Sequence, residues 1–170
     1  MSLRLSDYDY VLPRELIARR PPERREESRM MVLHRREERM EHRKFSELPV
    51  FLAPGDLLVL NNTRVLCARR FSDDGKTEFL FLERVDRLRW KCLVKPGRRI
   101  RVGAIVEING ATARVEKICN GGERIISLDR EDDLFVGGLM PLPPYLRRQS
   151  DSDDVDRYQT VFAEVPGAVA

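Results

Sequence analysis

What this sequence has little of narrows its reading first. Three cysteines, Cys67, Cys92 and Cys119, are scattered over 170 residues with no close pair. That spacing argues against a disulfide framework and a zinc ribbon, and it suits a reducing, cytoplasmic setting. The two histidines, His34 and His42, sit in no metal or nucleophile pattern and read as surface or strand-pair residues, so no metal site is expected. Glycine-rich phosphate loops, dinucleotide-binding fingerprints and serine–histidine–aspartate orders are missing. Met1 to Asp7 carry Arg4 and Asp7 and lack the apolar run of a signal peptide or membrane anchor, so neither secretion nor a membrane partner is expected. The net charge of +3 is too small for charge alone to indicate a nucleic-acid partner.

Turning to what is there, 42% hydrophobic and 35% charged residues describe one globular domain or two small ones, able to bury a core without a covalent staple. Arg14 to Lys44 holds 11 basic and 7 acidic side chains, a run that reads as a solvated face with a hint of basic character. Leu12 to Ala18 reads as a short helix with Pro13 in its first turn, and Pro21-Pro22 forbids its continuation. Met30 to Leu33 suits a strand with Met40 to Phe45 as partner, joined by a turn without glycine. Ser46 can cap a helix over Glu47 to Leu52, which Pro54-Gly55 ends. Leu57 to Leu60 is apolar without alternation, the pattern of a strand covered on both faces.

From Lys76 the texture changes to short strands separated by turns: Thr77 to Val85, Leu88 to Val94, Ala104 to Ile108, Thr112 to Ile118 and Glu123 to Leu128. Trp90, Cys92 and Val94 share one face of the second strand and Arg89 and Lys91 the other, the period of a half-buried sheet. Asn109-Gly110 fits a two-residue hairpin of the primed type. Five or six such strands closing on themselves make a small β-barrel. The expected architecture is α/β plus β: an α/β segment over 1–66, a β-barrel over 67–139, and a return segment to the α/β domain over 140–170.

Two stretches could carry chemistry. Pro54 to Val65 ends an apolar strand in Asn61, Asn62, Thr63 and Arg64, preceded by Asp56. Such a terminus offers amides, a hydroxyl and a two-pronged guanidinium to a polar ligand, or it forms an ordinary turn with an exposed charge. In Met140 to Arg148 three prolines stiffen the backbone, Tyr145 can stack on a base, and Arg147 and Arg148 can contact phosphates; an interdomain strut or a ligand for a proline-recognising module explains the prolines too. Tyr158 lies beside charge in Asp156 to Phe162, suited to a groove wall or to packing.

In sequence order, Asp7-Tyr8-Asp9-Tyr10, Leu12-Pro13, Leu16-Ile17-Ala18, Ser28-Arg29, Glu41-His42-Arg43 to Phe45, Pro54 to Val59, Asn61 to Val65, Met140 to Tyr145, Arg157 to Phe162 and Pro166 to Ala170 together resemble the S-adenosylmethionine:tRNA ribosyltransferase-isomerases of queuosine biosynthesis. The resemblance implies an α/β domain with an inserted β-barrel. It also implies transfer and isomerisation of the ribosyl group of S-adenosylmethionine onto the aminomethyl-deazaguanine base of tRNA, giving epoxyqueuosine. S-adenosylmethionine is then a substrate, no cofactor is called for, and tRNA is the macromolecular partner. Asp56, Asn61, Asn62, Thr63 and Arg64 become substrate contacts, Tyr145, Arg147, Arg148 and Tyr158 tRNA or interdomain contacts, and the general base stays unassigned. Cys67 stands where the family has proline, and Glu37-Glu38 where it places a glycine. The family is monomeric and continues past Ala170 into a second half of similar length, which implies a truncated chain, a broken reading frame, or one half of a split enzyme awaiting its complement. A non-catalytic tRNA-binding module and an inactive fragment remain the alternatives.

Overall fold

A computed structural model describes residues 4–167 of the chain, which divides into two units, Met1–Val59 and Leu60–Ala170. Met1–Leu3 and Ala168–Ala170 lie outside the described residues, so the amino-terminal reading and the last family motif are followed only in part.

In the first unit the regular structure is local. β1 (Arg29–His34) and β2 (Arg39–Lys44) form an antiparallel hairpin with Met31 opposite His42 and Leu33 opposite Met40. Its turn manages without glycine because Glu38 adopts a positive φ of 50°. On one face Glu41 accepts a 2.6 Å hydrogen bond from the His34 ring and a 2.8 Å bond from Arg43. These bonds, His34 first, hold the Glu41 carboxyl down at about 2. The helix expected over Leu12 to Ala18 is a single 3₁₀ turn at Arg14–Leu16, a further single turn lies at Arg25–Glu27, and the helix expected over Glu47 to Leu52 is a longer 3₁₀ stretch at Phe45–Phe51. Short segments with no buried side chain gain too few bonds to offset nucleation, so no α-helix forms among the described residues of this unit. Pro49 inside the last of these removes a donor. Its start is closed by Glu47, whose carboxylate accepts from the Lys44 amide at 2.8 Å, and not by Ser46.

Leu57 to Leu60 corrects the expectation of a buried strand. It has no regular structure, and Leu57 and Val59 are 88% and 83% exposed. A strand is stabilised only by a neighbour that takes up its amides and carbonyls, and among the described residues none pairs with this run.

The second unit is built on strands. After β3 (Thr63–Val65) come β4 (Arg69–Phe71), β5 (Glu78–Arg84), β6 (Arg89–Lys95), β7 (Ile105–Ile108), β8 (Ala111–Ile118) and β9 (Arg124–Leu128). α1 (Ser152–Arg157) and β10 (Val165–Gly167) follow. β4 to β9 form one antiparallel sheet in the order β4-β5-β6-β9-β8-β7. The five strands read from turn signals are all found within about two residues of their expected ends, whereas three-residue β3, β4 and β10 carry too little pattern to be seen. Phe79, Phe81, Trp90, Cys92, Val115 and Ile126 are buried in its concave face. Trp90 meets Phe81 and Phe135 edge-on, with centroids 5.6 and 5.2 Å apart, contacts worth about 1 kcal/mol each beyond the area they bury. Burial pushes the Cys92 thiol up to about 12, out of reach of physiological chemistry.

The molecule is thus β-rich, with a curled sheet whose two edge strands are not joined by a ladder. Asp73, just past β4, bridges them: its amide donates to Glu107 O at 2.9 Å, and its carboxylate accepts from the Asn109 and Gly110 amides at 2.8 and 2.9 Å. Asn109 and Gly110 have φ of 55° and 69°, the primed hairpin geometry that the dipeptide favours. A cavity of about 600 Å³ remains at this seam, between Ser72, Lys76, Thr77, Arg99 and Glu107.

Candidate functional site

β3 runs parallel to β10, with Thr63 opposite Val165 and Val65 opposite Gly167, so chain segments about a hundred residues apart meet in one small ladder. Two side chains and one backbone carbonyl prepare it. Asn61 folds back so that its Oδ1 accepts from the Thr63 amide at 2.9 Å, the local turn chemistry of asparagine. The Asn62 carbonyl accepts from the amides of Glu164 and Val165 at 2.8 and 3.1 Å. On the other edge of β3 the Gln159 side chain satisfies Val65 completely: it accepts from the Val65 amide at 2.8 Å and donates to its carbonyl at 2.7 Å. The backbone of residues 61–65 is therefore fixed before any ligand arrives, with Arg64 exposed upon it.

Leu139 forms a two-bond bridge with Arg69 of β4, and Arg69 Nη2 donates to Leu142 O at 3.0 Å. Met140 and Leu142 are driven into the interior, 1% and 2% exposed. The prolines that follow wall a cleft of about 240 Å³ with Arg69, Glu78 and Lys95, in which Arg69 Nε lies 3.0 Å from Glu78 Oε1. A 3₁₀ turn at Pro144–Leu146 leaves Tyr145 62% exposed, and Arg147 turns the chain with a φ of 49°. Arg148 then pairs with both oxygens of Asp154 at 2.5 and 2.6 Å. Asp154 is 2% exposed, and the Arg148 bonds, ahead of all else, hold its carboxyl below the usual range. The same residue closes the start of α1, accepting from the Asp151 amide at 3.0 Å. Burial, with Tyr145 nearby, pushes the Tyr158 hydroxyl up.

The residues singled out from sequence thus separate. Asn61, Asn62, Thr63 and Arg64 come together at β3. Asp56 belongs to the first unit, where its carboxylate accepts from the Ala53 amide at 2.8 Å in its own turn. Tyr145 and Tyr158 are brought near one another and Arg147 is exposed, while Arg148 is committed to Asp154. Gln159 and the Arg69–Glu78 pair are the polar groups that pattern reading passed over. A lone amide in a helix-to-strand connection gives no periodic signal, and the pairing of Arg69 with Glu78 appears only once β4 lies beside β5. No cluster of three or more metal-ligating side chains occurs among the described residues, and no helix among them is long and apolar enough to cross a membrane.

Comparison with known proteins places these residues in context. A family profile described as queuosine biosynthesis protein matches residues 5–170. An S-adenosylmethionine:tRNA ribosyltransferase-isomerase of Thermotoga petrophila is 41% identical over 177 aligned positions, covering 99% of this chain and 51% of the relative. One from Anaeromyxobacter dehalogenans is 42% identical over 179 positions, covering 99% and 52%. The crystal structure of an S-adenosylmethionine tRNA ribosyltransferase from Thermotoga maritima, 40% identical, aligns with 83% of this chain and 52% of its own at a TM-score of 0.40. The chain spans about half the length of the curated relatives it matches.

Proposed function

The chain belongs to the queuosine biosynthesis protein family, and from that premise we propose that it supplies the amino-terminal half of an S-adenosylmethionine:tRNA ribosyltransferase-isomerase acting in the cytoplasm. The observation that carries the proposal is the match over residues 5–170 together with identities above 40% to relatives bearing that name. In this reading β3 and β10 begin the sheet of an α/β domain, and the curled sheet is the inserted barrel. The complementary half completes a monomer around them.

The chemistry asks for a closed polar site more than for reactive side chains. The positive sulfur of S-adenosylmethionine acidifies the neighbouring ribose methylene, so one general base can start the reaction. Departing adenine takes a proton or a strong hydrogen bond, and the rearranging sugar must be kept from water. S-adenosylmethionine is consumed as substrate, and no further cofactor takes part. A pre-fixed strand end suits this work, because polar groups held by Asn61, Gln159 and the β10 ladder meet the substrate without reorganising. Arg64 is the cation placed to hold the methionine carboxylate or a phosphate.

The test is adenine release from S-adenosylmethionine with tRNA bearing the aminomethyl-deazaguanine base, using this chain alone and with the complementary half added. Activity that needs both pieces is expected; none under either condition contradicts the proposal. Arg64→Ala in the assembled enzyme is expected to lower turnover more than tRNA affinity, and equal loss of both would remove Arg64 from the site.

A further inference from the structure

The cations of the second unit are treated in two ways. On β5, β6 and the turn between them nearly every one has an acidic partner: Arg84 and Arg87 meet Glu131 at 2.8 and 2.7 Å, Arg89 meets Asp86 at 2.6 Å and Glu116 at 3.9 Å, and Lys91 meets Glu83 and Glu123 at 3.6 and 3.5 Å. The segment Lys95-Pro96-Gly97-Arg98-Arg99-Ile100-Arg101 carries four cations and no acid. All four are exposed, and none forms an ion pair among the described residues. The neighbouring acids are already engaged: Glu78, opposite Lys95 on β5, lies 3.0 Å from Arg69 Nε. Across the seam cavity from Arg99, Asp73 is bonded to two backbone amides, Asp74 to the Ser72 hydroxyl and Lys76, and Glu107 to Thr112. The far end of the loop bonds to Val115 through Gly103 and Ala104, one residue from Arg114, another cation without an ion pair among the described residues.

This loop is also held still, and the holding group is unusual. Arg124 of β9, 7% exposed, donates to three backbone carbonyls, Gly97 at 2.8 Å, Ile100 at 3.1 Å, and Gly122. It is a buried guanidinium fixed by carbonyls and not by a carboxylate, so its own charge is retained beneath the four exposed ones. Gly97 leaves room for that tip, since a Cβ would lie 2.9 Å from Arg124 Nη2 and push it aside.

A rigid loop presenting unneutralised guanidinium forks, with no aromatic side chain in its span, fits phosphates and not bases. We propose that Lys95, Arg98, Arg99 and Arg101, pinned by Arg124, form an interface for the phosphate backbone of RNA. The proposal rests on the tRNA partner of the reading above and locates that partner on the barrel. The β1–β2 hairpin is the weaker candidate, since its Arg39 and Arg43 are spent on Glu37 and Glu41, and Arg35 and Arg36 share their turn with two acids, Glu37 and Glu38.

The test is binding of the chain to a labelled anticodon stem-loop RNA, followed by fluorescence anisotropy across a salt series. Replacing Arg98, Arg99 and Arg101, all exposed, by glutamine is expected to weaken binding roughly tenfold or more and to flatten the slope of log affinity against log salt by about two to three. Gly97→Ala leaves every exposed cation in place but pushes the Arg124 tip off the carbonyls it holds, so it lowers affinity while the slope stays nearly constant. Arg35→Gln with Arg36→Gln on the hairpin changes neither quantity. Unchanged binding by the triple variant, or a loss confined to the hairpin variant, overturns the assignment and leaves the family reading intact. No RNA binding by the unaltered chain even at low salt overturns both the assignment and the tRNA partner on which it rests.

Discussion

The two units reach order by different means. Among residues 4–59 no side chain is buried, and the best-formed element is a hairpin closed by its own backbone bonds and by a charged cluster around Glu41. Residues 60–167 contain every buried side chain of the described chain, with Trp90 and Phe81 near the centre of a curled sheet. The contrast separates what pairing alone can hold from what apolar burial holds. A two-stranded ribbon is marginal in water by itself, whereas a six-stranded sheet with one covered face stands unaided.

Four perturbations sharpen this contrast, and the largest strikes the sheet. Trp90→Ala removes the aromatic between Phe81 and Phe135 and is expected to cost about 3–5 kcal/mol. Urea unfolding followed by circular dichroism measures it, and hairpin signals in an NMR spectrum should survive if the units are independent. Next, Asp154→Ala deprives Arg148, whose side chain is 17% exposed, of its carboxylate. The expected loss is about 3 kcal/mol, near the lower end for a buried pair, read by the same unfolding curve. Gly110→Ala forces a side chain into a φ of 69° and should cost about 1 kcal/mol, with the transition otherwise unchanged in shape.

The smallest effect belongs to the hairpin and is a matter of pH. The Glu41 carboxyl is lowered from its usual 4.5 to about 2. Its contribution is therefore complete above about pH 4.5 and fades as the pH falls towards 2. Amide shifts of β1 and β2 should move over that window, and Glu41→Gln should abolish the movement. If the hairpin signals instead follow those of the sheet at every pH, the two units do not melt separately.

The parts legible in the sequence were those with period or punctuation. Alternation placed Trp90 and Cys92 on the buried face, and Asn109-Gly110 announced a primed turn that the structure contains. The run Leu57 to Leu60 misled for the converse reason: its apolarity reports an environment, and nothing among the described residues provides that environment. The candidate site was legible only as a string of polar residues. That Asn61 spends its side chain on its own turn, or that Arg148 is taken by Asp154, depends on geometry created by distant segments. The loop from Lys95 to Arg101 escaped notice because its charge is diluted by acids elsewhere in the chain, and only their pairing reveals it as unbalanced.

The clasp of Gln159 on Val65 joins positions 94 apart in sequence. Closing so long a span directly is entropically costly, but once the curled sheet has formed, the Arg69–Leu139 bridge has already brought its two ends together. The remaining slack is then roughly twenty residues, and the logarithmic dependence on length lowers the cost by about 1 kcal/mol. The curled sheet thus serves its neighbours as a buckle: once it is formed, a remote encounter between two strands becomes a nearly local one.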